Sequence, residues 1–233
     1  ENKNKYSSFL DTNTVRELEM TPETIEMSAW LPWWKEKSAI SSIEKNGNKL
    51  ETILPVWYQI DPEGKLIETS SPNKEGIIDL AKKHDIKIYP TISNVFEERF
   101  DPDRISLILH NSDLQDILIE QLIDVAIEKS YNGWDLDWEE INAQDKDVFS
   151  TFLVKLSEAL NKNNLGLSVT VHAQTGNSSD WVGTKGQDLQ QIGEAANQVR
   201  VMAYDFHNST SLPGSIIPVD KLNEVIKHNL KFI

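Results

Sequence analysis

Six short runs of β-branched, aromatic and other apolar residues, separated mostly by longer stretches with helical periodicity, constrain this chain more than any other feature. The runs lie near Ile25–Leu31, Glu51–Tyr58, Ile86–Ser93, Gly133–Glu139, Leu165–Ala173 and Val199–Asp205. Helical patterns occupy Lys74–His84, Asp113–Lys129, Lys146–Asn161, Asp188–Ala196 and Pro218–His228. Successive runs start about 26 to 47 residues apart, the size of one βα unit. No Pro/Gly/Ser-rich linker divides the 233 residues, so the expectation is a single parallel α/β domain. Polar and aromatic residues gather at the C-terminal ends of several strands, which favours a (β/α)8 TIM barrel over an open doubly wound sheet. About six of its βα units fall within this chain. Pro32-Trp33-Trp34 follows the first strand where a nucleotide-binding fold would carry a Gly-rich phosphate loop.

The segment Tyr131-Asn132-Gly133-Trp134-Asp135-Leu136-Asp137-Trp138-Glu139-Glu140 is the most unusual in the chain. Side chains alternate faces along a strand, so Asp135, Asp137 and Glu139 share one face and Trp134, Leu136 and Trp138 the other. Three carboxyls lined up inside a barrel raise one another's pKa until some hold protons, a cost that a merely structural strand has no reason to carry. Two other readings of the pattern are a solvated acidic face on an edge strand and a divalent-cation site.

Composition narrows the partners. A net charge of −14, with no compensating Lys/Arg cluster, repels phosphate backbones and anionic lipid surfaces, so neither nucleic acid nor membrane is an expected partner. The absence of cysteine removes thiol nucleophiles, Cys-ligated zinc and iron–sulfur clusters. No run approaches the ~18 apolar residues of a membrane span. Residues 1–8 carry neither the basic nor the apolar region of a signal peptide, as a processed secreted chain also would not.

The acidic segment closely resembles the Asp-x-x-Asp-x-Asp-x-Glu signature of glycoside hydrolase family 18, which includes chitinases and related N-acetylglucosaminidases. Three of its four acidic positions match, with Asn132 in place of the first Asp. In that family the motif lies on the fourth strand of a TIM barrel, and here it lies on the fourth run. Met202-Ala203-Tyr204-Asp205 resembles the family's Met-x-Tyr-Asp at the end of strand six, and it falls on the sixth run. Leu54–Tyr58, Tyr89–Asn94 and Ala203–His207 are similar to the branch that acts on bacterial cell walls and spore cortex. The resemblance runs from about Ile25 to the end, whereas family members continue through two further strands. The expectation is therefore one family 18-like catalytic domain over residues 1–233, incomplete at its C-terminus and without the family's strand-eight Trp.

The resemblance implies retaining, substrate-assisted hydrolysis of β-1,4-linked N-acetylglucosamine glycans, chitin or peptidoglycan, without cofactor or metal. Glu139 would protonate the glycosidic oxygen and later activate water. Asp137 would orient the substrate's 2-acetamido group and stabilise its developing charge, and Asp135 would share a proton or hydrogen bond with Asp137. Asn132 would hydrogen-bond there without titrating. Tyr204 would hold the acetamido oxygen, with Met202 and Asp205 lining the same subsite. Asn94, Trp57, Trp30 and His207 join the expected substrate-binding set, with core packing the competing role for the tryptophans and a loop hydrogen bond for His207. Trp33, Trp34 and Tyr58 are further platform candidates, and His172 is the most weakly marked. A secreted or cell-wall-associated location follows from such a substrate. The principal alternative is a carbohydrate-binding, lectin-like protein on the same barrel, whose members typically lose the acid that Glu139 would supply. A metal-dependent enzyme using the acidic cluster is a third.

Overall fold

The computed structural model describes residues 26–177, 180–207, 209 and 211–232. Ten strands and seven α-helices are formed by these residues. The strands are β1 (Ser28–Leu31), β2 (Thr52–Ile60), β3 (Leu66–Glu68), β4 (Lys87–Ile88), β5 (Thr91–Ser93), β6 (Val95–Phe96), β7 (Arg99–Phe100), β8 (Gly133–Asp137), β9 (Gly166–His172) and β10 (Gln198–Met202). The helices are α1 (Glu36–Asn46), α2 (Lys74–Lys83), α3 (Pro102–Leu109), α4 (Ser112–Lys129), α5 (Lys146–Lys162), α6 (Leu189–Ala195) and α7 (Val219–Asn229).

Six parallel strands form a wall in the order β1-β2-β5-β8-β9-β10, each followed by at least one helix. This is part of a (β/α)8 barrel. Expected strand one begins at Ile25, which lies outside the described residues. Expected strand three is split into β4 and β5 at Pro90, which has no N–H to give a ladder. Expected strand six ends at Met202, before Tyr204 and Asp205. Helices α1 and α3 and the β6–β7 hairpin were not marked by apolar periodicity.

Local chemistry sets the helix starts. Asp101 caps α3 by accepting from the Arg104 N–H, with Pro102 at the first turn, and Asn111 caps α4 through the N–H groups of Asp113 and Leu114. Between sheet and helices lies the main core. Trp134 and Leu136 of β8, followed by Trp138, are fully buried there. Trp138 stacks on Phe152 of α5 at 5.4 Å and 8°, and the Trp134 indole N–H donates to Leu122 O of α4 at 2.9 Å. Burying each such side chain is worth about 1.5–3 kcal/mol. Inside the wall the packing is polar instead. Arg200 of β10 crosses it, donating to Ser168 Oγ of β9 at 2.9 Å and to Ser28 Oγ of β1 at 2.8 Å, so the first and last wall strands meet through one guanidinium. Gly133 and Gly166 admit the Tyr89 ring at the N-terminal ends of β8 and β9; a Cβ on Gly166 would stand 2.2 Å from its hydroxyl.

Candidate active site

Alternation along β8 sends Asp135 and Asp137 inward, and Glu139 follows just past the strand end. Asp135 lies deepest. Its carboxylate accepts from Ser168 Oγ at 2.7 Å, Thr91 Oγ1 at 2.9 Å, Thr170 Oγ1 at 3.2 Å and the Trp30 indole N–H at 3.2 Å. Burial pushes its pKa up, and these donors and Arg200 pull it back. Four neighbours saturate this group, and no hydrogen bond joins it to Asp137 among the described residues. The expected direct link is replaced by hydroxyl donors from the flanking strands.

Asp137 is in the opposite condition. Its Oδ1 is buried with no hydrogen-bond partner. Burial first, then the charges of Glu139 and Asp135, hold its carboxyl well above the usual carboxylate range. The crowding expected of the three carboxyls thus adds to burial in raising the proton affinity of Asp137.

Glu139 is fixed by its main chain. The buried Asn94 side chain accepts from the Glu139 N–H at 2.9 Å and donates to the Glu139 carbonyl at 2.9 Å. Both ends of the amide are occupied and the residue has no exposure, so its expected contact with substrate is corrected to support of Glu139 from behind. The Glu139 carboxylate lies beside His172, with Nε2 to Oε2 at 2.9 Å.

Met202 at the end of β10, and Tyr204 and Asp205 beyond it, line a cleft of about 580 Å³ with His172, Trp181, Asp180 and Lys221. Asp205 takes a left-handed backbone, φ 59°, turning the chain away from the strand direction. Burial, followed by the charges of Asp137 and Glu139, pushes the Tyr204 hydroxyl up to about 12. It therefore remains a hydrogen-bond donor at any physiological pH.

Trp57 is corrected outright. It is fully buried on the helix side, with Lys74 Nζ 4.8 Å above its ring and Tyr131 beside it. The register between β2 and β5 slips between Val56 and Tyr58, and consecutive Trp57 and Tyr58 both pack on Lys74 and Tyr131. Strict alternation would have sent one of them inward. His207 is also displaced: its Nδ1 lies 2.9 Å from Leu212 O and its ring lies against Gly214, apart from the residues that line the cleft. Asn132 sits at the opposite end of β8, where its side-chain Oδ1 accepts from the Ile88 N–H. Trp30 is 37% exposed and tied to Asp135, while Trp33 and Trp34 form an exposed edge-to-face pair beyond β1. Among the described residues no three acidic or histidine groups converge as a metal site, and no helix is long and apolar enough to cross a membrane.

Residues 31–229 match the sequence profile of Glycosyl hydrolases family 18. The uncharacterized glycosylase YvbX of Bacillus subtilis is 29% identical over 202 residues, which are 85% of this chain and 57% of that protein. The spore cortex-lytic enzyme SleL of Bacillus cereus has the same fold at a TM-score of 0.82, with 20% identity over 90% of this chain and 48% of its own. A chitinase of Chromobacterium violaceum superposes at 0.80, with 20% identity over 88% of this chain and 65% of its own. The chain spans about half the length of the curated relatives it matches.

Proposed function

This chain belongs to glycosyl hydrolases family 18, and from that premise we propose that it hydrolyses β-1,4-linked N-acetylglucosamine glycans with retention, using the substrate's own acetamide as nucleophile. The observation that carries the reading is the contrast between Asp135, saturated by donors, and Asp137, buried with an unpartnered oxygen between Asp135 and Glu139. A carboxyl with raised proton affinity and a free lone pair is a strong acceptor for an amide N–H. It is suited to bind an acetamido group and to meet the positive charge that forms there.

In the reaction so derived, the acetamido oxygen attacks the anomeric carbon while Glu139 gives its proton to the leaving glycosidic oxygen. The C–O bond breaks and an oxazolinium ion forms, with its N–H on Asp137. Tyr204 donates its hydroxyl hydrogen to the acetamido oxygen and holds it in line. Water then attacks the same carbon from the face that the leaving group vacated, the bond from that carbon to the acetamido oxygen breaks to restore the acetamide, and the water passes a proton to the Glu139 carboxylate. The product keeps the β configuration and Glu139 regains its proton. No protein nucleophile and no cofactor enter.

Similarity to a spore cortex-lytic enzyme and to a chitinase supports both polymers as substrates, cell-wall glycan and chitin, and supports action outside the cell. Incubation of the protein with chitin oligomers and with purified cell-wall glycan strands, products read by mass, tests the proposal. Release of N-acetylglucosamine-terminated products from at least one is expected; binding to either without cleavage would favour the lectin-like reading instead.

A further inference from the structure

The last inward residue of β9 is a histidine that the reaction above does not use. Its placement follows from the strand register. Asp135 pairs with Ser168 and Leu136 with Val169; the same parallel register carried four residues along both chains sets Glu139 beside His172. The side chains meet there, with His172 Nε2 2.9 Å from Glu139 Oε2 and only 17% and 13% of the two side chains exposed. The nitrogen lies off the line of a hydrogen bond, so the contact is a polar one, close in distance but short of a formed hydrogen bond.

The imidazole is itself held from two directions. Its backbone N–H donates to Gln187 Oε1 at 3.0 Å. Its ring meets Trp181 edge to face, at 4.5 Å between centroids and 78°. Trp181 in turn lies over Gly183, where a Cβ would stand 2.2 Å from the indole. Glu139, by contrast, has its main chain clamped by Asn94 and no hydrogen bond on its carboxylate among the described residues. A glutamate fixed only at its backbone samples several staggered rotamers, and a proton donor contributes only while it points at the leaving oxygen.

We propose that His172, braced by Trp181 and Gln187, is a positioning residue that confines the Glu139 carboxylate to the rotamer it takes beside the imidazole. The inference rests on the reading of Glu139 as the glycosidic acid. His172 touches no reacting atom and acts through Glu139 alone. Trp181, which is 47% exposed and lines the cleft, links this brace to the surface over which a glycan would lie.

The test uses two variants and one spectrum. His172→Phe keeps an aromatic ring on Trp181 and removes the nitrogens; His172→Gln returns an N–H donor at similar reach. The Phe variant is expected to lose about 10- to 100-fold in kcat with KM changed less than about twofold, because orientation and not affinity is lost. The Gln variant is expected to recover most of that rate, and thermal melts should place both close to the unsubstituted protein. Should the Phe variant not fold, the Gln variant is compared with His172→Ala in its place. Independently of turnover, 15N-histidine NMR should show the ring signals of His172 moving on Glu139→Gln while those of His84 and His228 stay put. An unmoved His172 signal overturns the proposal. So does a folded Phe or Ala variant with unchanged kcat, or a Gln variant no better than it. If the unsubstituted protein cleaves no acetamido glycan, the proposed function falls, and the NMR comparison alone decides whether His172 holds Glu139.

Discussion

Replacing Asn94 by alanine removes the amide that spans the Glu139 peptide, and the structure sets the size of the effect. The amide makes two 2.9 Å hydrogen bonds to Glu139, one to its N–H and one from its own N–H to the carbonyl, plus a longer one of 3.4 Å to Asp101 O. Asn94 has no exposure, so the groups left behind do not simply turn to bulk water. A buried backbone group that loses its partner costs about 1–3 kcal/mol, so two of them cost about 2–6 kcal/mol before the neighbourhood relaxes. Relaxation moves Glu139, and a shift of about 1 Å at the acid costs on the order of 10² in rate. Urea unfolding and turnover on a labelled N-acetylglucosamine oligomer measure the two effects separately. Asn94→Asp sharpens the test: it keeps the acceptor for the Glu139 N–H but turns an oxygen toward the Glu139 carbonyl, and it should fare no better than alanine. An alanine variant with the original urea midpoint and more than half the original turnover would refute the claim that Asn94 positions the acid.

Glu139→Gln should lower hydrolysis by more than about 10²-fold while oligosaccharide binding stays within a fewfold, since the amide keeps the shape and has no proton to give; calorimetry of binding beside a turnover assay checks both halves. Asp137→Asn should raise the melting temperature at neutral pH and abolish most activity. The sign follows from the raised carboxyl of Asp137: its favourable contribution is fully present below the unfolded value of about 3.9 and is lost as pH rises through the higher folded value. The stability gain of the Asn variant should therefore grow from acid to neutral pH, and melts from acid to neutral pH that run parallel for the two proteins would contradict it. Tyr204→Phe should lower kcat by about tenfold to 10²-fold with little change in KM, read by steady-state kinetics, because the hydroxyl orients the attacking acetamide.

Much of this arrangement was legible in the sequence because both of its periodicities are strong. The β8 segment alternates Trp134, Leu136 and Trp138 with Asp135, Asp137 and Glu139, and the two sets do fall on opposite faces, one in the core and one in the barrel interior. What stayed hidden depends on interactions between segments. In β2 nearly every residue is buried, so alternation carried no information there, and the register slip that turns Trp57 toward Lys74 is a property of the pairing with β5. Helix α1 buries only Glu36 and Ile43, too few apolar positions to show a helical stripe. Asn94 gave no sign of its role because its partners are backbone groups 45 residues away. His172, the most weakly marked candidate, could have been placed beside the acid: Ser168, Thr170 and His172 share a face, and the assumption of a parallel register to β8 would have brought the last of them to Glu139.

The central claim is that the acetamide of the substrate, and no group of the protein, attacks the anomeric carbon. Proton NMR of the first product formed from a β-linked N-acetylglucosamine oligomer, recorded before mutarotation, tests it most directly. The β-anomer should appear first, and the matching glucose oligomer, which lacks the acetamide, should remain uncut. An α-anomer as the first product, or cleavage of the glucose oligomer at a similar rate, would contradict it.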